Sequence, residues 1–327
     1  MRGMRRILAN VVVGALALWS AAPAFAEPFR VGIANFGEDP ALLLAIEGFR
    51  KALGDAGFEE GKDVAYTISH TNFDATLVPQ MLAALQAERP RLIFTLTTPV
   101  SQIAKRNLAR SGIPIVFGAV TDPVAAELVP SWTSGAPSMT GASDLQDVGA
   151  VMSFARQLLP AAQSFGLPYN PGEANDRALL DIVEATGRQM GFTIVSVGVD
   201  SVNDIPQRIA SLKGRADVIY VPTSNLLQPA VNAVAASARQ AGIPVINASD
   251  DPVKKGVVPA SFAIDYGKVG YNAGLIALKV LEGADPQSIP PVRPAYEDHA
   301  PVISKRGLAA FGIALPDGLA NCGCLVD

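Results

Sequence analysis

The stretch from Arg91 to Ala104 has a counterpart from Asp217 to Ala230, and no other feature of the chain restricts its fold as much. In both, an apolar run leads into a hydroxyl pair, Thr97-Thr98 or Thr223-Ser224, and then into a helical pattern. Each helical pattern ends at Gly-Ile-Pro, at Gly112 and at Gly242, and a second apolar run follows. Asp122-Pro123 closes the first unit and Asp251-Pro252 the second. Glycine stops helices and proline follows them, so Gly-Ile-Pro alone would mean little. Four landmarks in one order, offset by 126 to 130 residues, predict two similar half-molecules. The larger offset at Gly-Ile-Pro predicts that the second helix is longer by about one turn.

The same rhythm runs along the rest of the chain. Phe29–Ala34, Val64–Ser69, Leu92–Leu96, Ile115–Ala119, Phe165–Tyr169, Thr193–Val197, Val218–Val221 and Val245–Asn247 read as strands. Leu42, Ala45, Ile46, Phe49 and Leu53 have helical spacing, as do Val148, Val151, Met152, Ala155 and Leu158. Strands this apolar are covered on both faces, so the expected fold is α/β, two Rossmann-like lobes with parallel sheets flanked by helices. At 327 residues and 49 % hydrophobic, the chain has the length and apolar content for two such cores.

The first 26 residues read differently. Arg2, Arg5 and Arg6 precede an apolar run from Ile7 to Trp19, and Ala24-Phe25-Ala26 is a small-x-small cleavage site. This is the pattern of a secretory signal peptide cleaved after Ala26, with a periplasmic product. The run is too short for a spanning helix, which needs ~20 residues. Without those three arginines, 23 Lys and Arg face 30 Asp and Glu, a net charge of about −7. That balance argues against a nucleic-acid or anionic-membrane partner. Cys322 and Cys324, the only cysteines, are expected to lie in a mobile tail, because a Cys-Gly-Cys ring is small and strained. No cofactor or metal is called for, and a monomer is expected.

In open parallel sheets ligands bind beyond the carboxyl ends of the strands, where helix starts offer unpaired N–H groups and positive partial charge. Candidate ligand contacts there are Asn35 and Phe36, Thr97, Thr98, Ser101 and Gln102, and Thr121 with Asp122 in the first half. Thr223, Ser224, Asn225 and Asp250, with Asp251 beside it, are their counterparts in the second. Tyr169, Glu173 and Asn175 lie where a strand meets a turn and a helix begins, and Asp265 with Tyr266 opens a later helix. Hydroxyls suit a ligand carboxylate and Asp side chains an ammonium, so the set suits a zwitterion such as an amino acid. Each residue also has a plain reading: a hydroxyl as an N-cap, an Asp-Pro as a solvated turn. Phe36, Trp132, Tyr169 and Tyr266 are candidate walls, with ordinary packing as the alternative.

At these positions the chain resembles the ABC-transporter substrate-binding proteins of the tryptophan/tyrosine type, which have the periplasmic binding protein type I fold. The resemblance is carried by Val31-Gly32-Ile33, Gly61-Lys62-Asp63-Val64, Thr98-Pro99-Val100-Ser101-Gln102, Val120-Thr121-Asp122-Pro123-Val124, Thr140-Gly141-Ala142-Ser143-Asp144, Tyr169-Asn170-Pro171-Gly172-Glu173-Ala174-Asn175 and Gly267-Lys268-Val269-Gly270. It implies crossovers near 142, 262 and 288, with residues 27–142 plus 262–288 in one lobe and 143–261 plus 289–327 in the other. It further implies a small-molecule ligand, hinge closure and a permease partner in the inner membrane. Two strings depart from the family: Gly37-Glu38-Asp39-Pro40 stands where a His-Pro is common, and Pro222-Thr223-Ser224-Asn225 where Pro-Thr-Asp-Asn is. A ligand sensor presenting to a receptor is an alternative. A hydrolase working through Asp and Glu is another, although the only histidines, His70 and His299, fall outside the repeat loops.

Overall fold

The computed structural model describes residues 27–327, so the signal-peptide reading lies outside the described residues. The first sheet has β1 (Phe29–Asn35), β2 (Val64–His70), β3 (Leu92–Leu96), β4 (Ile115–Val120) and β5 (Met139–Ser143) in the order β2-β1-β3-β4-β5. The second has β6 (Ser164–Tyr169), β7 (Thr193–Gly198), β8 (Val218–Val221), β9 (Val245–Asn247) and β10 (Ala260–Ile264) in the order β7-β6-β8-β9-β10. Both sheets therefore run 2-1-3-4-5, with every one of these pairs parallel. The second sheet adds β11 (His299–Ser304), antiparallel to β10, and β12 (Leu325–Val326). The echo in the sequence is thus a repeat in topology: β3 and β4 correspond to β8 and β9.

Among the described residues ten α-helices accompany the strands. Those that position the site are α1 (Pro40–Asp55), α2 (Val78–Ala87) and α3 (Thr98–Asn107) in the first lobe. In the second they are α4 (Val148–Leu158), α5 (Ala174–Met190), α6 (Ile205–Ala210), α7 (Val231–Ala241) and the single turn α8 (Asp251–Lys254). α3 has ten residues and α7 eleven, so the extra turn expected in the second helix lies elsewhere. Residues 225–230 form hydrogen-bonded turns ahead of α7, in which Gln228 N–H donates to the Ser224 carbonyl. The Thr223-Ser224 pair therefore caps a turn and not the helix.

The chain changes lobes after β5, after β10 and again ahead of β11. β10 lies in the second sheet through Ile264, so the second crossover follows that residue. α9 (Tyr266–Leu281) then returns to the first lobe and packs along α1. The two helices approach closely because glycines face each other. A Cβ on Gly270 would stand 1.8 Å from the Ala45 carbonyl oxygen, and one on Gly48 2.0 Å from that of Gly267. On the other side of the third crossover, Val292 exchanges backbone hydrogen bonds with Gly141 and Ser143 at the end of β5.

The expected mobile tail is not found. Cys322 and Cys324 are joined by a disulfide and lie half-buried against the second lobe's core. The Ile303 N–H donates to the Cys324 carbonyl, and β12 pairs with β11. The unpaired edge of β11 supplies the partner that the local sequence could not reveal.

Replacing Gly270 by Ala should lower stability by about 2 kcal/mol, because the α1–α9 seam must open. Gly54, also in α1, has no atom within 4 Å of a would-be Cβ. Its replacement by Ala should raise stability by roughly 0.5–1 kcal/mol through backbone entropy. Thermal unfolding of the two variants beside the parent tests both signs.

Candidate functional site

The strand order of each sheet reverses beside its first-formed strand, between β1 and β3 and between β6 and β8. Loops from these two switch points, and the start of α9, surround one cavity between the lobes. Of the residues singled out in the sequence, Thr97, Thr98, Thr121, Asn175, Thr223, Ser224, Asn225 and Tyr266 line it. Asp39, Phe73, Ala119, Asp144, Gln228 and Ser249 line it too, and sequence reasoning did not place them there.

The wall is polar in a particular way. Thr97 Oγ1, Thr98 Oγ1 and Asn175 Oδ1 are buried and have no hydrogen-bond partner. Burying such a group unpaired costs about 1–3 kcal/mol. They stand at the starts of α3 and α5, and neither helix has a side-chain cap. The amide end of α3, whose first turn has no acidic side chain, is therefore free to meet an anion. Thr97 also has φ of +80°, an uncommon conformation for a β-branched residue, and Phe73 and Ala119 are likewise left-handed at +64° and +54°. Three of the seven non-glycine residues with positive φ among the described residues thus line this one cavity, and strain of this kind clusters at functional sites.

Asp144 stands just beyond β5, at the first crossover. Its carboxylate accepts from Thr121 Oγ1 at 3.1 Å and from the Tyr266 hydroxyl at 2.7 Å. Burial pushes this carboxyl up, and the two hydrogen bonds oppose the shift. Tyr266 is pushed up in turn, first by burial and then by the Asp144 charge. Asp39, half-buried at the start of α1, accepts from Ala41 N–H at 2.9 Å, and burial raises its carboxyl as well. Among the described residues no Lys, Arg or His lines the cavity, so any side-chain charge on its wall is negative.

The other candidates are placed elsewhere. Ser101 is buried within α3, bonded to the Thr97 carbonyl and to Thr95 Oγ1, and Gln102 donates to the Ala126 carbonyl. Asp122 caps the turn that follows β4, accepting from Val124 and Ala125 N–H. Asp265 caps α9 through Lys268 N–H, and Asp250 pairs with Lys254. Asn35 is buried beside the cavity, where its amide donates to the Gly37 carbonyl. Phe36 and Glu173 line an outer vestibule, Tyr169 ends β6 outside both spaces, and Trp132 carries the Arg293 guanidinium on its ring face. Glu173 accepts from Asn170 Nδ2 and from Asn225 Nδ2, the latter at 2.6 Å, so it supports the wall from behind. The turn reading of the Asp-Pro motif holds for Asp122, whereas Asp144, inside a quoted motif, lines the cavity together with Asp39.

Residues 30–323 match the family model described as ABC transporter substrate binding protein. The chain belongs to that family. A tyrosine-binding protein of Clostridioides difficile (strain R20291) is 33 % identical over 261 residues, covering 80 % of this chain and 75 % of the relative. An ABC domain in complex with L-Trp from Streptococcus pneumonia has a TM-score of 0.83 at 25 % identity, covering 91 % of this chain and 100 % of the other. A substrate binding protein with adhesive properties from Clostridium difficile, in its ligand-free, open structure, has a TM-score of 0.70 at 31 % identity, covering 91 % and 99 %. The family consists of solute-binding proteins, not enzymes, and more distant members of the type I periplasmic binding fold share the architecture alone. Among the described residues no helix is long and apolar enough to cross a membrane.

One buried group behind the wall should report on the site. Asp176 follows Asn175 in the first turn of α5 and accepts from Asn170 N–H and Asn175 Nδ2. Burial, with the neighbouring Glu173 charge adding to it, pushes its carboxyl up to about 7. The folded state then holds a proton that the unfolded chain releases near 3.8. The stability this contributes is complete below 3.8 and declines as pH rises toward about 7. Asp176→Asn should flatten that decline in melting temperature, measured without ligand across the same range.

Proposed function

We propose that this protein is the periplasmic binding component of an ABC importer, and that it closes its lobes on a single α-amino acid. The observation that carries the reading is the set of three buried, unpartnered side-chain atoms on Thr97, Thr98 and Asn175 around a cavity whose wall has carboxylates but no cation. A ligand carboxylate takes the two threonine hydroxyls and the open end of α3, at favourable helix-dipole potential. The ammonium turns toward Asp144 and the Asn175 amide oxygen. Asp144 is held in place for this by Thr121 and Tyr266, which come from the first lobe's sheet and from α9.

Relatives support the class of side chain, since one is named for tyrosine and another holds L-Trp. They also support closure. The L-Trp complex resembles this structure more closely in TM-score than the ligand-free, open one does, despite its lower identity. We read that reversal as a difference in lobe arrangement, which sequence identity does not measure. The moving bodies would be residues 27–142 with 265–288, and residues 143–264 with 289–327, the second crossover lying after β10. Anchors from both favour the closed form by contacts that the open form lacks. Export by the N-terminal segment and docking on a permease complete the proposed role.

Titration calorimetry with L-tyrosine and L-tryptophan tests it. Asp144→Asn should weaken binding on the order of ten- to a hundred-fold, as expected for a lost charge-assisted hydrogen bond. Thr98→Val should weaken it about ten-fold. In the parent, affinity should rise with pH through the raised titration of Asp144, because the ammonium needs the carboxylate ionised. Unchanged affinity in both variants would remove the site from this cavity.

A further inference from the structure

We infer that Phe73 is the residue that selects the ligand's side chain, favouring a large aromatic group; this rests on the reading of the cavity as an amino-acid site. Two aromatic rings line the cavity, and the hydroxyl of the other, Tyr266, is committed to Asp144. The half-buried Phe73 ring lines both the inner cavity and the vestibule outside it, as do Asn225 and Pro229 from the second lobe. It therefore stands at the seam where the two lobes meet, between ligand and solvent.

Its position is built, at a backbone cost. Asn72 and Phe73 are consecutive left-handed residues, at φ of +51° and +64°. A bulky residue in that region persists only where its surroundings over-determine it. Here the Phe36 carbonyl accepts from Phe73 N–H at 2.8 Å and from the Thr71 hydroxyl at 3.1 Å. The loop after β2 is thereby fastened to the end of β1. The Phe36 ring meets Phe73 edge-on with centroids 5.4 Å apart. Gly37 supplies the remaining space, since a Cβ there would lie 2.2 Å from the ring carbon Cε2 of Phe73. Packing against Phe36 and Gly37 leaves the ring a fixed wall, and a fixed aromatic face rewards a flat apolar partner more than a small one.

Calorimetry or competition with L-tyrosine and L-leucine on the parent, Phe73→Leu and Phe73→Tyr tests this. The preference for tyrosine over leucine should fall on the order of ten-fold in Phe73→Leu and persist in Phe73→Tyr. Gly37→Ala, which displaces the ring without removing it, should lower the preference in the same direction. A preference unchanged within about two-fold in Phe73→Leu, or both affinities falling by one common factor, would overturn the assignment while leaving the amino-acid reading standing. If the parent binds neither amino acid, that reading falls and this assignment with it. Melting temperatures of the variants separate lost folding from lost selectivity, and Phe73→Tyr retains the ring if Phe73→Leu does not fold.

Discussion

Parallel strands carry their following helices to one end of the sheet, and here two sheets point those ends at each other. The starts of α1, α3, α5 and α9 consequently open on one small space. Each start brings backbone N–H groups that the helix itself cannot satisfy. Two starts are closed by their own side chains, Asp39 on α1 and Asp265 on α9. The other two, on α3 and α5, are not, and the unpartnered atoms of the wall cluster there. A fold that had only to be stable would cap all four.

That polarity lies next to the structure's means of joining its halves. Asp144 at the end of the first crossover binds Thr121 from the first lobe and Tyr266 from the second crossover. Gln146, two residues on, donates to the Ala248 carbonyl of the second lobe and accepts from Tyr220. The crossovers are thus held by a buried polar network continuous with the cavity wall. The glycine seam between α1 and α9 fastens the helix that follows the second crossover to the first lobe.

Much of this was legible in the chain. Strand and helix periodicity gave the two α/β lobes, and the repeated hydroxyl pair pointed to the strand ends that line the cavity. Less was legible of which neighbour in each loop would face it. Thr98 lines the cavity, while Ser101, three residues on, turns to Thr95 inside the lobe. Asp122 and Asp144 both follow apolar strands, and the one in an Asp-Pro turn bonds its own loop. Phe73 gave no signal, because nothing in its sequence neighbourhood marks it as left-handed or as lying over Gly37. The second hydroxyl pair was placed at a helix start because the turns at 225–230 share composition with one.

Alternation, the echo and the punctuation by glycine and proline are local properties, decided by residues within a few positions of one another. The sequence therefore determined by itself that there are two lobes of like topology and where their strand ends lie. Facing is not local. Asp144 meets a tyrosine 122 positions away, and Gly270 lies against Ala45 of another helix. Cys324 finds its strand partner in an edge formed by β11. Only the tertiary structure could decide these, because a cap, a core contact and a ligand contact use the same few residue types and differ only in what stands opposite.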